Sequence, residues 1–240
     1  MKLTLDSSFK AMTLVSLVAL FTFPAVAQTA KKREAQVTAL AGDARYSSGG
    51  GSFVPVSIGT KLHEGDVIKT GGGSHVDVDL GDNVGLLQVA PHSTFAVRTL
   101  TSTQTDADKV TETDFDLKEG AVFFKVNKLA KASRFEITTP KGIAGIRGTS
   151  GLVTADGQVT VGEGMAGAAY PNGAGGVDTF IAHGGETVGP TDKPPHPAPA
   201  QWLSDIVDAL RDASTHGIGR TIEPFVPYVE PFISTVLPGR

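Results

Sequence analysis

Between Ala35 and Val188 the chain alternates apolar and polar residues in short bursts separated by glycine-rich breaks. The clearest burst is His75-Val76-Asp77-Val78-Asp79-Leu80, whose apolar and polar positions exchange at every step. A period of two belongs to a strand with one buried face and one wet face. Comparable runs lie at 36–40, 66–69, 86–89, 94–100, 115–117, 121–126, 135–138, 152–154 and 158–161. The breaks at 47–52, Gly71-Gly72-Gly73, Gly81-Asp82-Asn83, Asp156-Gly157 and Asn172-Gly173 are turn sequences. Asp-Gly and Asn-Gly supply the positive φ angles that tight hairpins need. No helical period interrupts the region. The pattern predicts an all-β domain over 35–189, with many short strands in a roll, a sandwich or a solenoid-like stack. No fixed repeat length demands the solenoid. The polar stretch 101–113 is predicted to be a long hairpin loop.

The two ends read differently. Lys2 and Lys10 precede an apolar run over 11–27 that closes on Ala25-Val26-Ala27 before Gln28. That is the pattern of an export signal cut after Ala27. The run is short for a bilayer-spanning helix, which needs roughly 20 apolar residues, so no stable span is expected once the signal is removed. The expected location is the periplasm or the outside of the cell. The cluster Lys31-Lys32-Arg33 is expected to be the exposed start of the mature chain. Past Gly189 the composition changes, and nine of the 14 prolines fall within 190–240. Residues 190–200 are predicted to be a proline-rich linker. A helix follows at 201–214, with Trp202, Leu203, Ile206, Val207 and Leu210 on one face and Asp205, Asp208, Arg211 and Asp212 toward the other. Glu223-Pro224-Phe225-Val226 and Glu230-Pro231-Phe232-Ile233 then form a near-repeat in an extended tail, so that 201–240 reads as a C-terminal helix and tail.

Charge and chemistry narrow the function classes. The full chain carries a net −4, and removing Lys2, Lys10 and Asp6 leaves −5. A mildly acidic chain without a basic stripe is not expected to bind nucleic acid. The absence of cysteine excludes disulfides, thiolate metal sites and a cysteine nucleophile. No Gly-x-Ser-x-Gly elbow or His-Glu-x-x-His helix occurs, so no catalytic residues, cofactor or enzymatic activity are expected. Gly162-Glu163-Gly164-Met165-Ala166-Gly167 has dinucleotide-loop spacing, but a turn at Tyr170-Pro171-Asn172-Gly173 follows where a helix is required; these are turn glycines. His75, Asp77 and Asp79 share a strand face and are read as solvated polar positions rather than a metal site.

Arg147 stands in a glycine-rich, apolar segment, and a charge withdrawn from water needs a fixed partner. Asp66, in the turn entered through Gly65, is the expected partner.

Five ordered blocks follow one another: Gly59-x-x-Leu62-x-x-Gly65-Asp66-x-Ile68-x-Thr70-Gly71; Leu86-Leu87-Gln88-Val89-Ala90-Pro91-His92-Ser93; Leu117-x-x-Gly120-Ala121-Val122-Phe123; Thr138-Thr139-Pro140 through Ile146-Arg147-Gly148-Thr149; and Val159-x-Val161-x-x-Gly164. Together they resemble the FecR domain. The resemblance spans about 42–188 and implies a bacterial envelope sensor or interaction module. Gly65, Asp66, Thr70, Gly71, Thr139, Pro140, Arg147, Gly148 and Thr149 are its structural motif. The iron-transport regulators of that family resemble a three-part design with a cytoplasmic anti-sigma segment. Only ten residues precede the apolar run here, so sigma-factor control is not expected.

The resulting expectation is a non-enzymatic envelope protein that binds a protein partner, with Trp202, Phe225, Tyr228 and Phe232 as contact anchors. The helix could equally cover the β domain itself. The alternative is a carbohydrate- or peptide-binding module, against which stands the scarcity of stacking rings: the β region holds Tyr46 and Tyr170 and no Trp.

Overall fold

The structure, a computed structural model, describes residues 29–216. In chain order the first strands are β1 (Lys31–Lys32), β2 (Ala35–Ala41), β3 (Ala44–Ser47), β4 (Val54–Pro55), β5 (Lys61–Leu62), β6 (Val67–Thr70), β7 (His75–Asp79), β8 (Gly85–Val89), β9 (Thr94–Gln104) and β10 (Lys109–Glu119). There follow β11 (Ala121–Val126), β12 (Arg134–Thr139), β13 (Gly142–Ile146), β14 (Thr149–Thr154), β15 (Val159–Glu163), β16 (Met165–Pro171), β17 (Val177–His183), β18 (Glu186–Val188), β19 (His196–Pro197) and helix α1 (Ala200–His216).

Two sheets share these strands. Sheet A runs β17-β16-β13-β12-β10-β9-β6-β3-β4, with β1 added on β9; sheet B runs β19-β18-β15-β14-β11-β8-β7-β2-β5. The chain crosses between them every one or two strands, and the result is a mostly antiparallel sandwich with a rolled connectivity. The one parallel pair among the described residues is β10 with β12, because β11 leaves for sheet B between them. Gly120 makes that departure possible. Its φ is +77°, and a Cβ there would lie 2.1 Å from Ser93 Oγ.

Strand alternation builds one core between the sheets. Val76 and Val78 of β7 join Leu87, Val122, Phe124 and Val153 of sheet B against Phe95, Phe115, Phe135 and Ile137 of sheet A. Phe115 packs on Phe95 and Phe135, with centroids 4.8 and 5.8 Å apart. Each such fully buried side chain contributes about 1.5–3 kcal/mol relative to exposure.

Helix α1 begins after Pro199, whose carbonyl accepts from the Trp202 and Leu203 amides. It lies on the outer face of sheet B, against β8, β15, β11, β2, β14 and β7. Ile206, Leu210 and Ala213 form its buried stripe. Gly162 lets the helix come close: a Cβ there would meet Ile206 Cγ2 at 3.2 Å. Val207, expected on the buried face, is exposed, because the contact stripe is centred on the 206–210–213 row.

Four other expectations need correction. The stretch 101–113 is not a loop but the distal half of the β9–β10 hairpin, closed by Thr105 and Asp108. Its threonines are polar yet β-branched, and Thr111 and Thr113 are buried. The segment 190–200 is not a free linker, since His196–Pro197 extends sheet B beside β18 and Lys193 pairs with Asp178 at 2.6 Å. Proline is tolerated on such an edge because one side of the strand needs no donor. The basic cluster is only partly exposed: Lys31–Lys32 pair with β9, while the Arg33 side chain is 4% exposed and bound to Asp82. The polar face of β7 is only partly wet, because Asp77 lies fully buried beside α1 between the half-buried His75 and Asp79.

Candidate functional site

The motif residues close turns and tie strands together. Asp66, 2% exposed, accepts the His63 backbone N–H at 2.9 Å and sits beside the His63 ring, while its own backbone bridges to Val97. Gly65 donates to the Val97 carbonyl. Thr70 Oγ1 donates to the Ala90 carbonyl at 2.6 Å and accepts the Ser93 N–H at 2.9 Å, so it fastens β6 to the turn before β9. Gly71 continues that seam by donating to the Asp43 carbonyl.

The second half of the motif works in the same way. Thr139 Oγ1 accepts the Lys141 and Gly142 amides and donates to the Gly142 carbonyl, closing the β12–β13 hairpin with Pro140 exposed at its tip. Gly148, at φ +64°, turns the chain from β13 into β14. Thr149 Oγ1 donates to the Met165 carbonyl at 2.5 Å. Arg147 is half-buried, and its Nη2 donates to the Ala130 carbonyl at 2.7 Å.

The expected Asp66–Arg147 pair does not form. Asp66 is engaged by His63 and Arg147 by a backbone carbonyl. A local donor or acceptor satisfied each charge without the long-range partner.

Three polar groupings remain outside the motif. On the outer face of sheet A, Asp114 and Glu136 stand opposite each other across β10 and β12. Burial raises both carboxyls above the usual range, opposed by Arg98 and Arg134 at Asp114 and by Arg134 at Glu136. A second grouping is an open groove of about 570 Å³ around Arg33, Lys61, His63, Asp79, Asp82 and Lys109. Four of its cations are held by acids: Arg33 and Lys109 by Asp82, Lys61 by Glu34 and Lys32 by Glu64. No Phe, Tyr or Trp ring lines it.

The third grouping joins the helix to the sheet. His75 Nε2 lies 3.5 Å from Asp212 Oδ2, and Asp77 stands beside them, with one donor atom from each residue within 4.8 Å of the others. Gln88 Nε2 donates to Asp77 Oδ1 at 2.9 Å and reaches the Ala209 carbonyl of α1 at 3.3 Å. Asp79, grouped with His75 and Asp77 on sequence grounds, instead accepts the Gly81 N–H. Asp212 was missed because only the packed helix brings it there.

Of the expected contact anchors, Trp202 is half-buried at the start of α1. Phe225, Tyr228 and Phe232 lie outside the described residues, as does the stretch 1–27. Exposed apolar side chains occur instead at both ends of sheet A, at Phe53 and Val54 by β4 and at Val177 and Ile181 of β17, the last two 47% and 38% exposed.

Residues 66–169 match the family model described as "FecR protein". Two crystal structures of a candidate anti-sigma factor from Parabacteroides distasonis ATCC 8503 are similar at 20% identity, with TM-scores of 0.44 and 0.43. Each likeness covers 57% of this chain and 62% of the solved one, so the chain spans less than two thirds of that relative. A search among curated proteins finds no match. Among the described residues no helix is long and apolar enough to cross a membrane.

Proposed function

We propose that this protein is a non-enzymatic, exported interaction or sensing module of the bacterial envelope, whose FecR-like β domain, extending through β17, engages a protein partner. The family match at 66–169 carries the reading. Its motif side chains are committed to internal hydrogen bonds, so recognition falls to the surface around them. Strand β17 suits that role: it ends sheet A and presents Val177 and Ile181 outward, and an open edge with apolar side chains accepts a partner strand. The tail residues Phe225, Tyr228 and Phe232 supply a second contact in this reading. Export rests on the leader pattern over 1–27.

Capture from an envelope extract tests the proposal. A discrete, saturable partner should be retained by the protein and lost with Ile181→Asp, which keeps the fold while charging the edge. Retention unaffected by Ile181→Asp would sink the edge assignment. Mass spectrometry of the protein recovered from cells should show Gln28 as the first residue; an intact leader would overturn export by cleavage.

A further inference from the structure

We propose that His75, Asp77 and Asp212 form a zinc site that fastens helix α1 to sheet B. One imidazole nitrogen and two carboxylates are donors that zinc accepts in a four-coordinate site with water as the remaining ligand. Their atoms lie within 4.8 Å of one another. Two ligands held about 2.1 Å from one tetrahedral ion stand roughly 3.4 Å apart. The observed 3.5 Å between His75 Nε2 and Asp212 Oδ2 matches that edge, and the remaining donor, within 4.8 Å of the other two, reaches the same ion by a side-chain shift of about 1 Å.

The surroundings fit a site as well as the donors do. His75 and Asp77 are two residues apart on β7, so alternation turns both toward the helix. Asp77 is fully buried, and a carboxylate removed from water gains most from a nearby positive charge. Gln88 orients it by donating to Oδ1 and anchors to the helix through the Ala209 carbonyl. Ligating carboxylates are characteristically held by such outer hydrogen bonds. The side chains of His75 and Asp212 remain 28% and 51% exposed, which gives an ion a path in and space for the water ligand. A nitrogen donor and so few oxygens disfavour magnesium and calcium, which require six or more oxygen ligands or retained waters.

The ligands come from a strand and from a helix far along the chain, so occupancy is coupled to helix docking. Zinc would hold α1 down against sheet B. This site stands independently of the partner proposed above.

Titrating zinc chloride into the tag-free full chain by calorimetry tests the inference. We expect one zinc per chain and a rise in melting temperature, with no saturable uptake of magnesium chloride. His75→Gln and Asp212→Ala should each weaken zinc binding by at least about tenfold, since loss of even an outer-sphere partner costs that much. Asp212 is at the surface, so its alanine variant keeps the fold, as circular dichroism will verify. Absence of saturable zinc uptake, or uptake unchanged in both variants, overturns the site.

Discussion

The Gln88 side chain donates to the fully buried Asp77 carboxylate at 2.9 Å, and the same nitrogen reaches the Ala209 carbonyl of helix α1 at 3.3 Å. One amide therefore joins a buried acid on the sheet to the backbone of the helix that covers it. The helix is part of the folded unit, and its Ile206–Leu210–Ala213 row is already occupied.

The first prediction concerns that docking. Ile206 is 1% exposed and packs over Gly162. Ile206→Ala should cost about 2–4 kcal/mol in chemical denaturation, the usual range for truncating a buried branched side chain. Proteolysis should then cut first within 200–216. A change below about 0.5 kcal/mol would mean that the helix is only loosely held.

Tyr170 gives an alkaline signature. Its hydroxyl reaches the Gly157 and Val188 carbonyls, and burial, with Asp156 adding to it, pushes its pKa well above the ordinary tyrosine value. The unfolded chain therefore loses this proton first. The stabilisation is complete below about pH 10 and declines as pH rises beyond it. Tyr170→Phe should lose about 1–3 kcal/mol at neutral pH, because two buried carbonyls lose their donor, and should flatten the alkaline slope. An unchanged slope in denaturation between pH 9 and 11 would contradict the assignment.

Asp114 and Glu136 act in the opposite pH range. Both carboxyls titrate above their unfolded values because burial penalises the charged forms. The folded state then holds protons that the unfolded state releases, so their contribution is most favourable below about pH 4 and is lost as pH rises through the folded values. Asp114→Asn should raise the melting temperature at pH 7. A lower melting temperature for that variant would show that its pairing with Arg98, at 3.4 Å, outweighs the burial cost.

The motif threonines should matter more for stability than Arg147. Thr70→Val leaves the Ala90 carbonyl and the Ser93 amide without their buried partner and should cost about 1–3 kcal/mol. Arg147→Ala removes one half-exposed bond to the Ala130 carbonyl and should cost about 0.5–1.5 kcal/mol. Thermal melts of the two variants check the order, and a larger loss for Arg147→Ala would give that residue a role beyond this bond.

Much of this architecture is legible in the residues themselves. Val76 and Val78 announce a core-facing row, and Ile206 and Leu210 announce the buried stripe of α1. Alternation identifies two faces of a strand but not what covers the polar one, which is why Asp77 reads as solvated although α1 buries it. Thr111 and Thr113 look like loop residues by polarity, while their branching suits a strand and the fold buries them. Arg33 looks like a surface charge because Leu80, Asp82 and Thr113, which hold it, meet only in the folded chain. Asp66 and Arg147 mislead for a related reason: nearby backbone groups compete with any distant partner, and one sequence does not rank the two.

We propose that a protein partner in the envelope docks on the edge at β17. Photo-crosslinkers placed singly at Val177, Ile181 and the exposed hairpin tip Pro140 test it in intact cells. We expect a discrete adduct from Val177 or Ile181, saturable by added unlabelled protein, and none from Pro140. Adducts from Pro140 alone, or no adduct at any of the three, would contradict the account.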